Sequence, residues 1–208
     1  MLVDLSHIIY SAMPVFPGTR MPEITPCASI SEQGYNEHWL SLAAHTGTHI
    51  DAPAHVIEGG STLDLMPLQR FSGQGVTIDC TGIDTLSLPF LKRYAALAED
   101  ADFLLLYTGW QEKWGTDSYF SGFPLLTSEA AGWLSQLSLS GIGFDTPSAD
   151  ATDSVDLPVH KQLAGSGLLL IENLTHLERI PATGFTFYCM PLFISHSNGS
   201  PVRAFAAF

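Results

Sequence analysis

The segment His45-Thr-Gly-Thr-His49-Ile-Asp51-Ala-Pro-Ala-His55 gathers three imidazoles and a carboxylate into eleven residues. His45 and His49 are four apart, a spacing that would put both rings on one helix face. Gly47, two threonines and Pro53 argue against a helix. An extended segment is the better reading, because residues two apart share a strand face and His49 and Asp51 then point the same way. Gly47 would supply a turn or bulge that returns His45 to the same point. Two neutral imidazoles and a carboxylate suit zinc, manganese or ferrous iron better than calcium. A bound metal would lower the pKa of a water toward ~7 and polarise a carbonyl under attack. Pro53 fixes the exit of the chain and leaves His55 nearby, where an unliganded imidazole is the natural general acid or base near neutral pH.

Two distant residues are candidates to complete such a site. His160 falls early in an expected helix, and Glu172 follows the strand-like run Gly167–Ile171. Sites in α/β sheets gather at the carboxyl ends of strands, which favours Glu172 over an arbitrary acid. Spacing alone does not separate either one from a surface residue or a satisfied polar group. His7 alternates with apolar neighbours and reads as a packed, hydrogen-bonded core residue. His38, His176 and His196 read as surface or loop residues. Trp39, Trp110, Trp114 and Trp133 offer faces to a planar substrate, although core packing is the expected role for each. Gly59-Gly60 and Gly73–Gly75 do not match a phosphate loop, and no Gly-x-Ser-x-Gly elbow is present.

The elements that must carry this cluster are legible as alternating patterns. Strand-like apolar runs occur at Leu2–Tyr10, Val76–Cys80, Phe103–Thr108, Gly141–Asp145, Gly167–Ile171 and Phe185–Ile194. Leu88–Ala98 has helical periodicity with Pro89 in its first turn. Thr127 is placed to cap a helix reaching about Leu137, with Glu129 near its positive end. Asp156 is placed to cap another, with Pro158 in its first turn and Gly165 closing it. Strand, helix, strand, helix, strand predicts an α/β domain with some parallel pairing. No repeat or linker divides residues 1–208, so a single domain is expected.

Composition narrows the partners. Eight Lys plus Arg against 21 Asp plus Glu give a net charge of −13, which repels a phosphate backbone and an anionic membrane alike. The chain is 46% hydrophobic and 14% charged, so some apolar surface is expected to be covered by self-association. Cys27, Cys80 and Cys189 are scattered and odd in number, which predicts free thiols in a reducing cytoplasm rather than a thiolate metal site. The start of the chain lacks a signal-peptide pattern, and no run is apolar for long enough to span a bilayer.

At His45–His55 the sequence resembles the cyclase family that includes bacterial kynurenine formamidases and isatin hydrolases. The resemblance runs nearly end to end. It takes in Asp4-Leu-Ser-His7, Met13-Pro-Val-Phe-Pro-Gly18, Leu106-Tyr-Thr-Gly-Trp110, Gly143-Phe-Asp-Thr-Pro-Ser148, Ile171-Glu-Asn-Leu174 and Gly199-Ser-Pro-Val-Arg203. It implies a swivelling β/β/α domain with a central mixed sheet, assembled as a homodimer or homotetramer. It implies one or two ions per chain, Zn2+ or Mn2+. His45, His49 and Asp51 match the ligands of a first metal, Asp51 reaching the second, with His160 and Glu172 as later ligands. His55 matches the proton-transfer histidine. Formamidases of the family show Trp-Pro-Gly-Asp where this chain has Phe16-Pro-Gly-Thr19. Phe16 still offers a face to an aromatic substrate, but the pocket edge changes.

These readings converge on a metal-dependent hydrolase that cleaves a C–N amide bond in a small N-formyl or cyclic amide substrate. A metal-polarised cyclase or lyase reaction, a non-catalytic metal or small-molecule binder and a structural role remain alternatives. The intact histidine set speaks against the last two, because neither has a use for His55.

Overall fold

A computed structural model describes residues 1–208. Thirteen strands are present. They are β1 (Leu2–Asp4), β2 (Glu23–Ala28), β3 (Glu37–Ser41), β4 (His49–Asp51), β5 (Ser72–Asp79), β6 (Thr85–Leu86), β7 (Phe103–Tyr107), β8 (Leu125–Leu126), β9 (Gly141–Phe144), β10 (Leu169–Glu172), β11 (Phe185–Tyr188), β12 (Gly199–Pro201) and β13 (Phe205–Ala207). Nine of them form one mixed sheet in the order β1-β13-β11-β5-β7-β9-β10-β4-β12. The middle pairings, β5–β7, β7–β9 and β9–β10, are parallel, and the flanking ones are antiparallel. This is the mixed α/β sheet expected from the alternating pattern.

The central strands β7 and β9 are apolar along their length because both faces are covered. Along β7, Leu104 and Leu106 face one core while Phe103 and Leu105 face another. Full burial of each such side chain contributes about 1.5–3 kcal/mol. The first core lies under four short helices, α2 (Leu88–Leu91), α3 (Ala95–Glu99), α4 (Ser128–Leu134) and α5 (Pro158–Gly165), while α1 (Ile30–Gln33) joins β2 to β3 and buries no residue. Of these, α2, α4 and α5 bury Leu91, Leu134 and Leu163 against the sheet. The second core fills the concave side, where the sheet curls on itself. Leu5 donates to the Ala204 carbonyl and accepts from the Thr175 amide, tying the residue before β13 to the chain leaving β10. No helix is long and apolar enough to cross a membrane.

Several expected elements are shorter than their apolar runs. Leu2–Tyr10 is a strand only to Asp4; Ile8 and Tyr10 are exposed. Phe185–Ile194 ends as a strand at Tyr188, and Leu192, Phe193 and Ile194 face outward. The expected helix Leu88–Ala98 breaks into α2, a 3-10 turn Lys92–Tyr94 and α3, where Tyr94 leaves the helical region at φ −109° and ψ 14°. Thr127 does cap α4, its hydroxyl accepting from the Ala130 amide at 3.2 Å. Asp156 does not cap α5. Leu157 stands at that position in the left-handed region, with φ 46°, and has no side-chain acceptor to offer.

Candidate metal centre

β4 is the strand that organises the site. It is hydrogen-bonded on both sides, to β10 and to β12, so its three residues are held without freedom to twist. Ile50 points into the concave core. His49 and Asp51 therefore point to the opposite face, the helix-covered one, as a two-residue period requires. The register sets Glu172 directly across from His49. Glu172 is also the last residue of β10, at the carboxyl end of a parallel strand. His160 reaches the same point from α5, whose buried face is Val159, His160, Leu163 and Ala164.

His45 lies outside the strand and is returned to it by Gly47. That residue adopts φ +65°, which a side-chain-bearing residue rarely takes. The reversal brings His45 Nδ1 to 2.5 Å from Asp51 Oδ1. His49 Nε2 lies 3.4 Å from both Asp51 Oδ1 and Glu172 Oε2. His160 Nε2 lies 3.1 Å from Glu172 Oε1 and 3.7 Å from Asp51 Oδ2. Two groups result, His45–His49–Asp51 and Asp51–His160–Glu172, each with ligand atoms within 4.8 Å of one another. Asp51 is common to both.

His55 belongs to neither group. The chain leaves β4 through the 3-10 turn Pro53–His55, which sets the His55 ring 4.1 Å from that of His45 and 6.1 Å from that of His160. It borders a cavity of about 310 Å³ whose floor carries His45, His49, Asp51, His160 and Glu172. Phe16 stands in the cavity wall, its edge against Phe120 at 6.1 Å. Trp114 and Leu157 complete the apolar side.

The electrostatics ask for positive charge on this floor. Burial alone would lower the pKa of His49, yet Asp51 and Glu172 outweigh it and lift the ring to about 10. Burial opposes the proton on His160 too, and Asp150, Asp51 and Glu172 together raise it to about 12. Burial would raise Asp51, but His49 and His45 hold it well below the ordinary carboxylate range. With no ion bound, protons on the imidazoles neutralise the carboxylates. His55 behaves differently: its own burial lowers its pKa despite Asp51, leaving it neutral at pH 7. Asp51 Oδ2 is buried without a hydrogen-bond donor. An orphaned carboxylate oxygen among convergent imidazoles fits a borderline divalent ion.

Behind these side chains lies a layer that no sequence spacing suggested. The Gly47 carbonyl lies 2.8 Å from His49 Nδ1, which directs Nε2 at the carboxylates. Asn173 Nδ2 donates to the same carbonyl at 2.9 Å, and the Tyr119 hydroxyl donates to Asn173 Oδ1 at 2.8 Å. Asp150 contacts His160 Nδ1 at 2.8 Å. Asn173 stands within the run Ile171–Leu174, which was the one sequence signal for any of them. His7 is not the hydrogen-bonded core residue expected. It is half-buried, its Nε2 has no partner, and it stacks on Trp114 at 3.9 Å. Trp114 therefore serves the cavity, and Trp39 is 71% exposed, so neither is a core residue.

Buried carboxylates that share imidazoles, with a spare neutral histidine at the rim of an apolar cavity, are equipment for hydrolysis assisted by a metal ion, and fold and site together define a metal-dependent hydrolase. The chain belongs to the family described as "Putative cyclase", whose model matches residues 3–151. It is 30% identical to a kynurenine formamidase of Bacillus thuringiensis (strain Al Hakam), over 97% of this chain and 95% of the relative. It is 31% identical to the kynurenine formamidase of Paracidovorax citrulli, over 98% of this chain and 95% of the relative. Isatin hydrolase A from Labrenzia aggregata, solved with benzyl benzoate bound, superposes with a TM-score of 0.89 at 28% identity. That match covers 99% of this chain and 93% of the other.

Proposed function

We propose that the chain hydrolyses a C–N amide bond in a small N-formyl arylamine or cyclic aryl amide, with His55 as its general acid and base. The observation that carries this reading is the position of His55: beside both ligand groups, a member of neither, and neutral. His45, His49 and Asp51 would hold one ion, and Asp51, His160 and Glu172 a second, Zn2+ or Mn2+ being the ions such donors suit. When bound, the metal supplies a Lewis acid for the carbonyl and an activated water. His55 takes a proton from the attacking water and delivers it to the departing nitrogen as the C–N bond breaks, so that an N-formyl arylamine gives formate and free amine and a cyclic amide opens to a single amino-carboxylate. Phe16 presents its ring to the substrate from the wall while the polar floor faces the carbonyl. The relatives named for kynurenine formamidase and isatin hydrolase activity support both substrate types.

The test uses N-formylkynurenine and isatin with protein loaded with Zn2+ or Mn2+. Turnover of either, abolished by chelation, is expected. His55→Ala is expected to keep its metal and lose turnover by ~10²–10⁴-fold, whereas Asp51→Ala loses metal. Normal turnover by metal-loaded His55→Ala would remove that residue from the mechanism.

The same reading includes a homodimer or homotetramer. The two-stranded β2–β3 arm carries exposed Trp39 and Leu40, and Leu192 and Phe193 are exposed near the end of the chain. Apolar groups on this scale favour burial between copies; a monomeric mass by light scattering would refute it. Buried, unpaired Cys80 and Cys189 support residence in a reducing cytoplasm.

A further inference from the structure

We infer that Asp150 is a positioning residue for His160: one buried carboxylate fixes both the first turn of α5 and the orientation of the imidazole that this turn carries. The inference rests on the reading of His160 as a metal ligand and names what holds it in place.

The first amides of a helix need acceptors, and the residue just before the helix ordinarily supplies one. Here that residue is Leu157, apolar and in the left-handed region at φ 46°. The acceptor comes instead from seven residues upstream. Asp150 Oδ1 accepts from the Val159 amide at 3.0 Å, and Oδ2 accepts from the His160 amide at 2.9 Å. Those two bonds complete the cap. A third contact, from the same Oδ2 to His160 Nδ1 at 2.8 Å, is not needed for capping. It binds backbone and ring of one residue to one oxygen, which settles the side-chain torsions. It also keeps the ring hydrogen on Nδ1, so the Nε2 lone pair is the one presented to the ion. Nε2 then faces Glu172 Oε1 and Asp51 Oδ2, the other members of its group. Asp150 is itself only 4% exposed, so water offers the ring no equal substitute.

The experiment titrates metal-free parent, Asp150→Asn, Asp150→Ala and His160→Ala with Zn2+, alongside thermal melts and nitrogen-edited imidazole NMR. The cap and the ring contact predict different things. Loss of a cap alone lowers the melting temperature and leaves metal affinity within threefold. Loss of the ring contact weakens the ion held with His160 by about 10–100-fold. It also abolishes the slowly exchanging Nδ1–H signal of His160. We expect both losses in Asp150→Ala, with Asp150→Asn, which keeps one acceptor oxygen, falling between it and the parent. Unchanged affinity and an unchanged Nδ1–H signal in Asp150→Asn and Asp150→Ala, despite a lower melting temperature, would overturn the inference. Failure of the ligand reading looks different: His160→Ala would bind Zn2+ as tightly as the parent.

Discussion

Adding one methyl group at Gly199 tests whether the geometry of the floor sets its chemistry. Gly199 lies in β12 directly across from Asp51, and its φ is not in the left-handed region, so alanine carries no backbone penalty there. The penalty is contact. A Cβ at this position would lie 2.4 Å from His45 Cε1, 2.7 Å from Nε2 and 2.9 Å from Nδ1. The backbone has little room to yield, because β12 pairs with β4 and Ala52 donates to the Asn198 carbonyl at 2.9 Å. The partly exposed imidazole must move instead, by about 1 Å to regain ordinary contact, and this breaks its 2.5 Å approach to Asp51. A displacement of that size at a reacting centre costs ~10²-fold in rate. Overpacking typically destabilises by 1–3 kcal/mol, and His45 can relieve part of this toward the cavity. Gly199→Ala should therefore fold, melt within several degrees of the parent, and lose about two orders of magnitude in turnover of N-formylkynurenine or isatin, with weakened Zn2+ binding. Turnover and Zn2+ affinity both within threefold of the parent would refute the claim that Gly199 exists to admit the His45 ring.

Filling both groups with Zn2+ near pH 7 should release about two protons, one for each ion, since His49 and His160 are held at about 10 and about 12 without an ion and must be neutral to coordinate one. Calorimetry in buffers of different ionisation enthalpy counts them, and a count of zero would contradict the protonation described here. His7 is lowered by burial and by His176 from 6.5 to about 4, so its contribution to stability is full above pH 6.5 and is lost as pH falls toward 4. The loss approaches about 3 kcal/mol; His7→Phe, which can keep the stack on Trp114, should remove it, and urea unfolding at pH 7 and pH 4 that shows the same difference as the parent would count against it. Phe103→Ala removes a fully buried ring packed 5.2 Å from Phe187 and should cost about 3–5 kcal/mol in thermal or urea unfolding. A cost below 1 kcal/mol would mean that the concave core relaxes around the gap.

The cluster on and around β4 was readable because its parts are local. His49 and Asp51 share a face through strand period alone, and a single glycine turn returns His45, so eleven residues contain the first group and His55. Glu172 was favoured by its place after an apolar strand, which is where β10 ends. Asn173 was marked only by its place in the run Ile171–Leu174, and Asp150 and Tyr119 were not readable, because loop closure and sheet register bring them in from sequence distances that no periodicity spans. The misread ends have a common cause as well. Ile8, Tyr10 and Leu192–Ile194 look like strand, but backbone pairing stops before the apolar run does, and their side chains remain on the surface. Asp156 had the right chemistry at nearly the right place. The chain turned through Leu157 instead, and a more distant carboxylate took the cap.

Register explains why this site is built on a strand of only three residues. β4 holds Ile50 in the concave core and sends His49 and Asp51 to the helix side, while on β10 Ile171 and Glu172 make the same division. A slip of one residue in either pairing would exchange a buried isoleucine for a carboxylate and put the ligand on the wrong face. Each misregistered state thus buries a charge and exposes an apolar side chain. The concave core therefore selects the alignment in which Glu172 faces His49. The ligands themselves cannot provide that selection, since clustered carboxylates repel until protons or an ion arrive. Stability of the apolar layer and geometry of the candidate metal site are in this sense one property, and substitutions at Ile50 or Ile171 should disturb the site without touching it.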